Sequence, residues 1–139
     1  IKTTVVKHQA TLSPLEVLFT QDSISCVFGG GKHKDVSIDS TIQEILENKL
    51  HPSAFPPIHV FEADDREYSI NNRRLYVWRV MACMDMELWK SFTVTIHRRD
   101  DPLMQKICYN ERHGREAHKW ERHLSSTREG LTVRVTGRG

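Results

Sequence analysis

The sequence predicts an α+β fold, a small and mainly mixed sheet with helices packed against it. Three observations carry the prediction. Phe92-Thr93-Val94-Thr95-Ile96 alternates strictly between apolar and polar residues, the two-residue period of a half-buried strand. Leu75, Trp78, Met81 and Ala82 instead fall at i, i+3, i+6 and i+7, the spacing of one helix face. The two kinds of pattern then succeed each other along the chain, with no internal repeat to suggest a solenoid.

The elements follow in order. Thr3 to Val6 reads as an edge strand, followed by a polar link to Pro14. Leu15 to Phe19 reads as a strand leading into the turn of Gln21, Asp22 and Ser23, where Asp22 or Ser23 caps a short helical turn carrying Ile24 and Val27. Gly29 to Lys34 is a basic glycine-rich loop; it lacks the Gly-Lys-Ser/Thr ending of a P-loop and reads as a solvated hairpin or flap. A helix is expected over Ser40 to Leu50, with Ser40 and Gln43 as a capping box and Ile42, Ile45, Leu46 and Leu50 as its buried stripe. Glu44, Glu47 and Lys49 face water, and His51-Pro52 ends the helix.

Pro56-Pro57 introduces an extended run in which Ile58 and Val60 alternate with His59 and Phe61. The chain turns at Asp64-Asp65 and returns over Glu67 to Ile70, so a hairpin is expected. A helix over Arg73 to about Met84 follows, then the Phe92–Ile96 strand with Phe92, Val94 and Ile96 inward. Asp100-Asp101-Pro102 signals a further helix, marked by Leu103, Ile107 and Cys108 and continued past Gly114 by Ala117, Trp120 and Leu124. Ser125 to Gly130 is a loop, and Leu131 to Val135 alternates as a last strand.

At 139 residues the chain fits one domain large enough to bury a core. It starts at Ile1 rather than Met, and is expected to be a domain excised from a longer chain. Its 38% hydrophobic and 27% charged residues read as soluble, and no apolar run approaches bilayer-spanning length, so no membrane partner is expected. The net charge of +2 is too small to argue nucleic-acid binding, so placement of charge must carry any such case. Cys26, Cys83 and Cys108 are odd in number, widely spaced and flanked by apolar residues; they read as buried free thiols of an intracellular, reducing compartment.

The most informative stretch is Tyr68 to Arg79. Asn71 and Asn72 stand between a strand end and a helix start, where either makes a good turn or cap. Arg73 and Arg74 then occupy the first helical turn. Helix amides there already carry partial positive charge and favour Asp or Glu, so two guanidinium groups cost stability unless an anion joins them. A phosphate satisfies the open N–H groups and both arginines together. The bland alternative is an ordinary surface, either solvated or paired within the protein to Asp22 or Glu67.

A strand, a tight turn and a helix opening with a polar residue before Arg-Arg-Leu resembles the phosphate-binding motif of the ParB/sulfiredoxin superfamily. Its usual pattern is Gly, a variable residue, His or Arg, then Arg. Here Asn71 stands at the Gly, Asn72 at the variable position, and Arg73 and Arg74 at the basic pair. Phe19 to Ile24 and Pro56 to Val60 resemble the family's two other blocks in the same order, and the likeness covers roughly residues 15 to 97. Sulfiredoxin has its reactive Cys where Asn72 stands, so sulfinic-acid repair is not expected. The resemblance implies a nucleotide or nucleic-acid phosphate bound at Asn71–Arg74, with Arg73 and Arg74 clamping it and Asn71 and Asn72 orienting it. It also implies that Gln21 and Asp22 face the same pocket, Asp22 holding Mg2+ against a nucleoside triphosphate or acting with Gln21 on a water. Read from the residues alone, Asp22 is a helix cap without chemistry ahead of any catalytic or metal-binding role. The family's activities include nucleotide-triphosphate switching, nuclease action on DNA or RNA, and phosphoryl transfer by a small-molecule kinase; a non-catalytic nucleic-acid- or protein-binding module is a further alternative.

Arg112, Arg115, Lys119 and Arg122 recur at i, i+3, i+7 and i+10, a positive stripe suited to a phosphate backbone if the segment is one helix. Glu111, Glu116 and Glu121 are interleaved, as on an ordinary solvated face. His113, His118 and His123 repeat every five residues, a rotation of about 140° per step that scatters them around a helix. Trp78, Trp89 and Trp120 read as core or core-rim residues.

Overall fold

The computed structural model describes residues 8–27, 36–63, 65–97 and 130–137. Their elements are β1 (His8–Leu12), β2 (Leu18–Phe19), β3 (Ser23–Ser25), α1 (Ile38–Leu46), β4 (Ile58–Ala63), β5 (Arg66–Ser69), α2 (Asn72–Cys83), β6 (Phe92–His97) and β7 (Arg134–Thr136). Single 3-10 turns stand at Pro52–Ala54 and Glu87–Trp89. The architecture is α+β. A five-stranded mixed sheet runs β1-β6-β4-β5-β2, and β3 and β7 form a separate two-stranded parallel sheet.

The central strands explain the sheet's shape. β4 lies between β6, parallel to it, and β5, antiparallel to it. Ile58 pairs with Val94 and Val60 with Ile96, so the apolar alternation of both strands falls on one face. Those four residues join Leu75, Val77, Trp78 and Met81 of α2 and Ile38 and Ile45 of α1 in one buried cluster. Each such side chain contributes about 1.5–3 kcal/mol when withdrawn fully from water. The expected helix face of Leu75, Trp78, Met81 and Ala82 is buried as a whole. Trp78 and Trp89 are core residues, their rings 4.5 Å apart, with Phe55 edge-on to Trp89.

Several local expectations give way. The edge strand is His8–Leu12, where a polar link was expected, and it pairs antiparallel with β6. Ala10 and Leu12 pack on the core while Gln9 and Thr11 are exposed, a period of two among mostly polar residues. The run before the Gln21 turn is extended only at Leu18–Phe19, which pair parallel with Tyr68–Ser69. Ser23–Ser25 is a strand rather than a helical turn, because parallel pairing with Arg134–Thr136 supplies its backbone partners. The last strand accordingly sits at Arg134–Thr136.

Helix α1 begins earlier than the expected capping box. Ser37 is the N-cap, its Oγ accepting from the Ser40 N–H at 2.9 Å, and Asp39 supplies the acid of the first turn. Ser40 is thus inside the helix. The buried residues are Ile38, Thr41 and Ile45; Ile42 and Leu50 are half-buried and Leu46 is exposed. Phe61 is fully buried and stacks on Tyr68, so β4 is apolar on both sides there. Cys26 is half-buried and Cys83 exposed, and both are free thiols, which corrects the expectation of buried ones.

The expected Thr3–Val6 strand, the Gly29–Lys34 loop, Asp64 of the hairpin turn and the helix from Asp100 lie outside the described residues, as does Cys108. Among the described residues no helix is long and apolar enough to cross a membrane.

Candidate anion site at the start of helix α2

The β4–β5 hairpin delivers the chain directly to α2, as the sequence predicts. Asn71 is the N-cap residue, yet its side chain makes no capping bond. Its Oδ1 accepts instead from the His59 N–H at 2.8 Å, and its own N–H donates to Ser69 Oγ at 2.9 Å. The first intrahelical bond closes from the Leu75 N–H to the Asn71 carbonyl. Among the described residues, the N–H groups of Asn72, Arg73 and Arg74 have no acceptor, and the first turn carries no acid. α1 presents the contrast, with a serine cap and Asp39.

Asn72 is buried and turned inward. Its Oδ1 accepts from the Thr20 N–H at 3.1 Å and its Nδ2 donates to Thr20 Oγ1 at 2.7 Å. Thr20 Oγ1 donates in turn to the Ser69 carbonyl at 3.0 Å. This network binds the end of β2, the end of β5 and the start of α2 into one unit. It also brings Gln21 and Asp22 to within one and two residues of a direct contact with α2. Gln21 is exposed; Asp22 is half-buried, and its carbonyl accepts from the Arg134 N–H at 2.8 Å.

The two arginines diverge from the helix start. Arg73 Nη1 donates to the Val27 carbonyl and Arg74 Nη1 to the Pro57 carbonyl, each at 3.1 Å. Each guanidinium has five N–H donors, so one carbonyl leaves most of its capacity, and all of its charge, unmatched among the described residues. Burial lowers the Arg74 guanidinium below its ordinary pKa, the mark of a cation held partly out of water. Among the described residues the ion pairs join Lys49 to Glu47 and Lys90 to Asp85 and Glu87. The pairing of Arg73 or Arg74 with Asp22 or Glu67 is not made.

Three separate sequence blocks therefore meet where α2 begins. Residues 19–24 arrive through Thr20, residues 56–60 through Pro57 and His59, and residues 71–74 supply the helix start. The Asn71 amide oxygen and both polar atoms of the Asn72 amide are engaged with the protein itself, which leaves main-chain N–H groups, guanidinium donors and the Asn71 Nδ2 to meet a ligand.

No group of three or more His, Cys, Asp or Glu side chains suited to a metal occurs among the described residues. Mg2+ is commonly held by one or two carboxylates with substrate phosphates and water completing its shell, so Asp22 suits it only alongside a bound phosphate. Arg112, Arg115, Lys119 and Arg122 lie outside the described residues, as do His113, His118, His123 and Trp120.

Two features escape the sequence reading. His59 Nδ1 and His97 Nε2 lie 2.8 Å apart on the sheet face opposite the core cluster, with His97 almost fully buried. Alternation in β4 and β6 placed both on that face; only the parallel register brings them together. The second is Arg79. Its guanidinium donates to the carbonyls of Pro14 at 3.0 Å, Leu131 at 2.9 Å and Val17 at 2.6 Å, and sits 4.6 Å above the Phe19 ring. Backbone acceptors leave no sequence signal.

Comparison with protein-family models, with curated proteins and with solved structures finds no match to this chain.

Proposed function

We propose that this is a ParB-like domain that binds the phosphate of a nucleotide or nucleic acid at the start of α2. The observation that carries the reading is a helix N-terminus with no acid, no side-chain cap and three open N–H groups, bearing two arginines that pair with no carboxylate among the described residues. Macrodipole and guanidinium charge have the same sign there, and a phosphate dianion neutralises both. The Arg73 and Arg74 amides and guanidinium groups are the primary ligands, and Asn72 holds the turn in shape through Thr20. The convergence of residues 19–24, 56–60 and 71–74 supports the ParB-like form of the reading, because those blocks carry the resemblance. Asp22 and Gln21 then stand beside the bound phosphate. Asp22 would hold Mg2+ there, which supplies charge neutralisation to a triphosphate, or would act with Gln21 in orienting a water.

A thermal-shift screen of nucleotides, with and without magnesium, tests the proposal. A ligand that binds only the folded state stabilises by RT ln(1 + [L]/Kd), about 2.7 kcal/mol at a hundredfold excess over Kd. The expected result is a concentration-dependent rise in Tm for the native chain that Arg73→Ala abolishes. A flat response to every nucleotide, or an equal rise in the variant, overturns it.

A further inference from the structure

We draw no further inference here: the strongest candidate, the His59–His97 imidazole pair on the sheet face opposite the core cluster, carries nothing, because both histidines make additional interactions whose chemistry, rather than the pair alone, fixes what a proton or a metal ion would do there.

Discussion

Asn72 and Thr20 are joined by two hydrogen bonds across 52 residues of sequence, one from the Thr20 N–H to Asn72 Oδ1 and one from Asn72 Nδ2 to Thr20 Oγ1. Both residues are buried, so an orphaned partner cannot turn to water. Asn72→Ala leaves the Thr20 N–H without an acceptor and should destabilise the fold by about 2–3 kcal/mol. Asn72→Asp keeps the shape and one acceptor, yet places a buried anion against the hydroxyl oxygen that the amide formerly bonded; it should cost at least as much. Urea unfolding of both variants measures this.

Arg79 fixes the segment of residues 14–17 and Leu131 to α2 through backbone carbonyls. Arg79→Ala removes all these donors and should cost about 2–4 kcal/mol, since hydrogen bonds from a charged group are worth more than neutral ones. Arg79→Lys retains the charge but not the planar fork, and should recover less than half of the loss. Full recovery by lysine in thermal unfolding would show that charge rather than geometry matters.

Gly130 has φ +72° and its carbonyl accepts from the Phe19 N–H. A Cβ at this position would lie 2.6 Å from the Phe19 carbonyl oxygen. Gly130→Ala combines left-handed strain with a backbone clash and should destabilise by at least about 2 kcal/mol. Gly137 also has positive φ, but among the described residues a Cβ there would meet only Cys26 Sγ, at 3.2 Å, so Gly137→Ala should cost visibly less in the same assay.

Lys90 bonds to Asp85 and Glu87. The hydrogen bond from Lys90, and then its charge, hold the Asp85 carboxyl below its usual pKa; bonds to Asp85 and Glu87 hold Lys90 above its own. The lowered carboxyl contributes stability above its unfolded pKa and loses it as pH falls through the folded value. The raised ammonium contributes below its unfolded pKa and loses that as pH rises through its folded value. These groups are solvent-exposed, so the effect is small and fades with salt. Acidification from neutral pH to below the ordinary carboxylate range should lower the Tm of the native chain slightly more than that of Asp85→Asn at low ionic strength, and equally at high salt.

The helix face of α2 and the β4–β5 hairpin are legible in the sequence because each has a dominant period. Strands β3 and β7 are not, because three residues carry too little pattern and their pairing joins positions more than a hundred residues apart. The N-cap of α1 is misplaced by three residues because Ser37 and Ser40 offer the same chemistry, and only Ile38 entering the core decides between them. At the candidate site, the arginines are visible as residues against the helix rule. What the sequence conceals is that Asn71 and Asn72 bond inward, since an asparagine suits a cap, a turn or a tertiary contact equally.

The most direct test is the backbone amide spectrum of the isotope-labelled chain during titration with inorganic phosphate and then with a nucleoside triphosphate. Occupation of the helix start should move the Asn72, Arg73 and Arg74 amide signals first and farthest, saturably, with the response weakened on the order of tenfold or more by Arg74→Ala. Shifts scattered over other surface cations, with those three amides unmoved at saturation, would contradict the account.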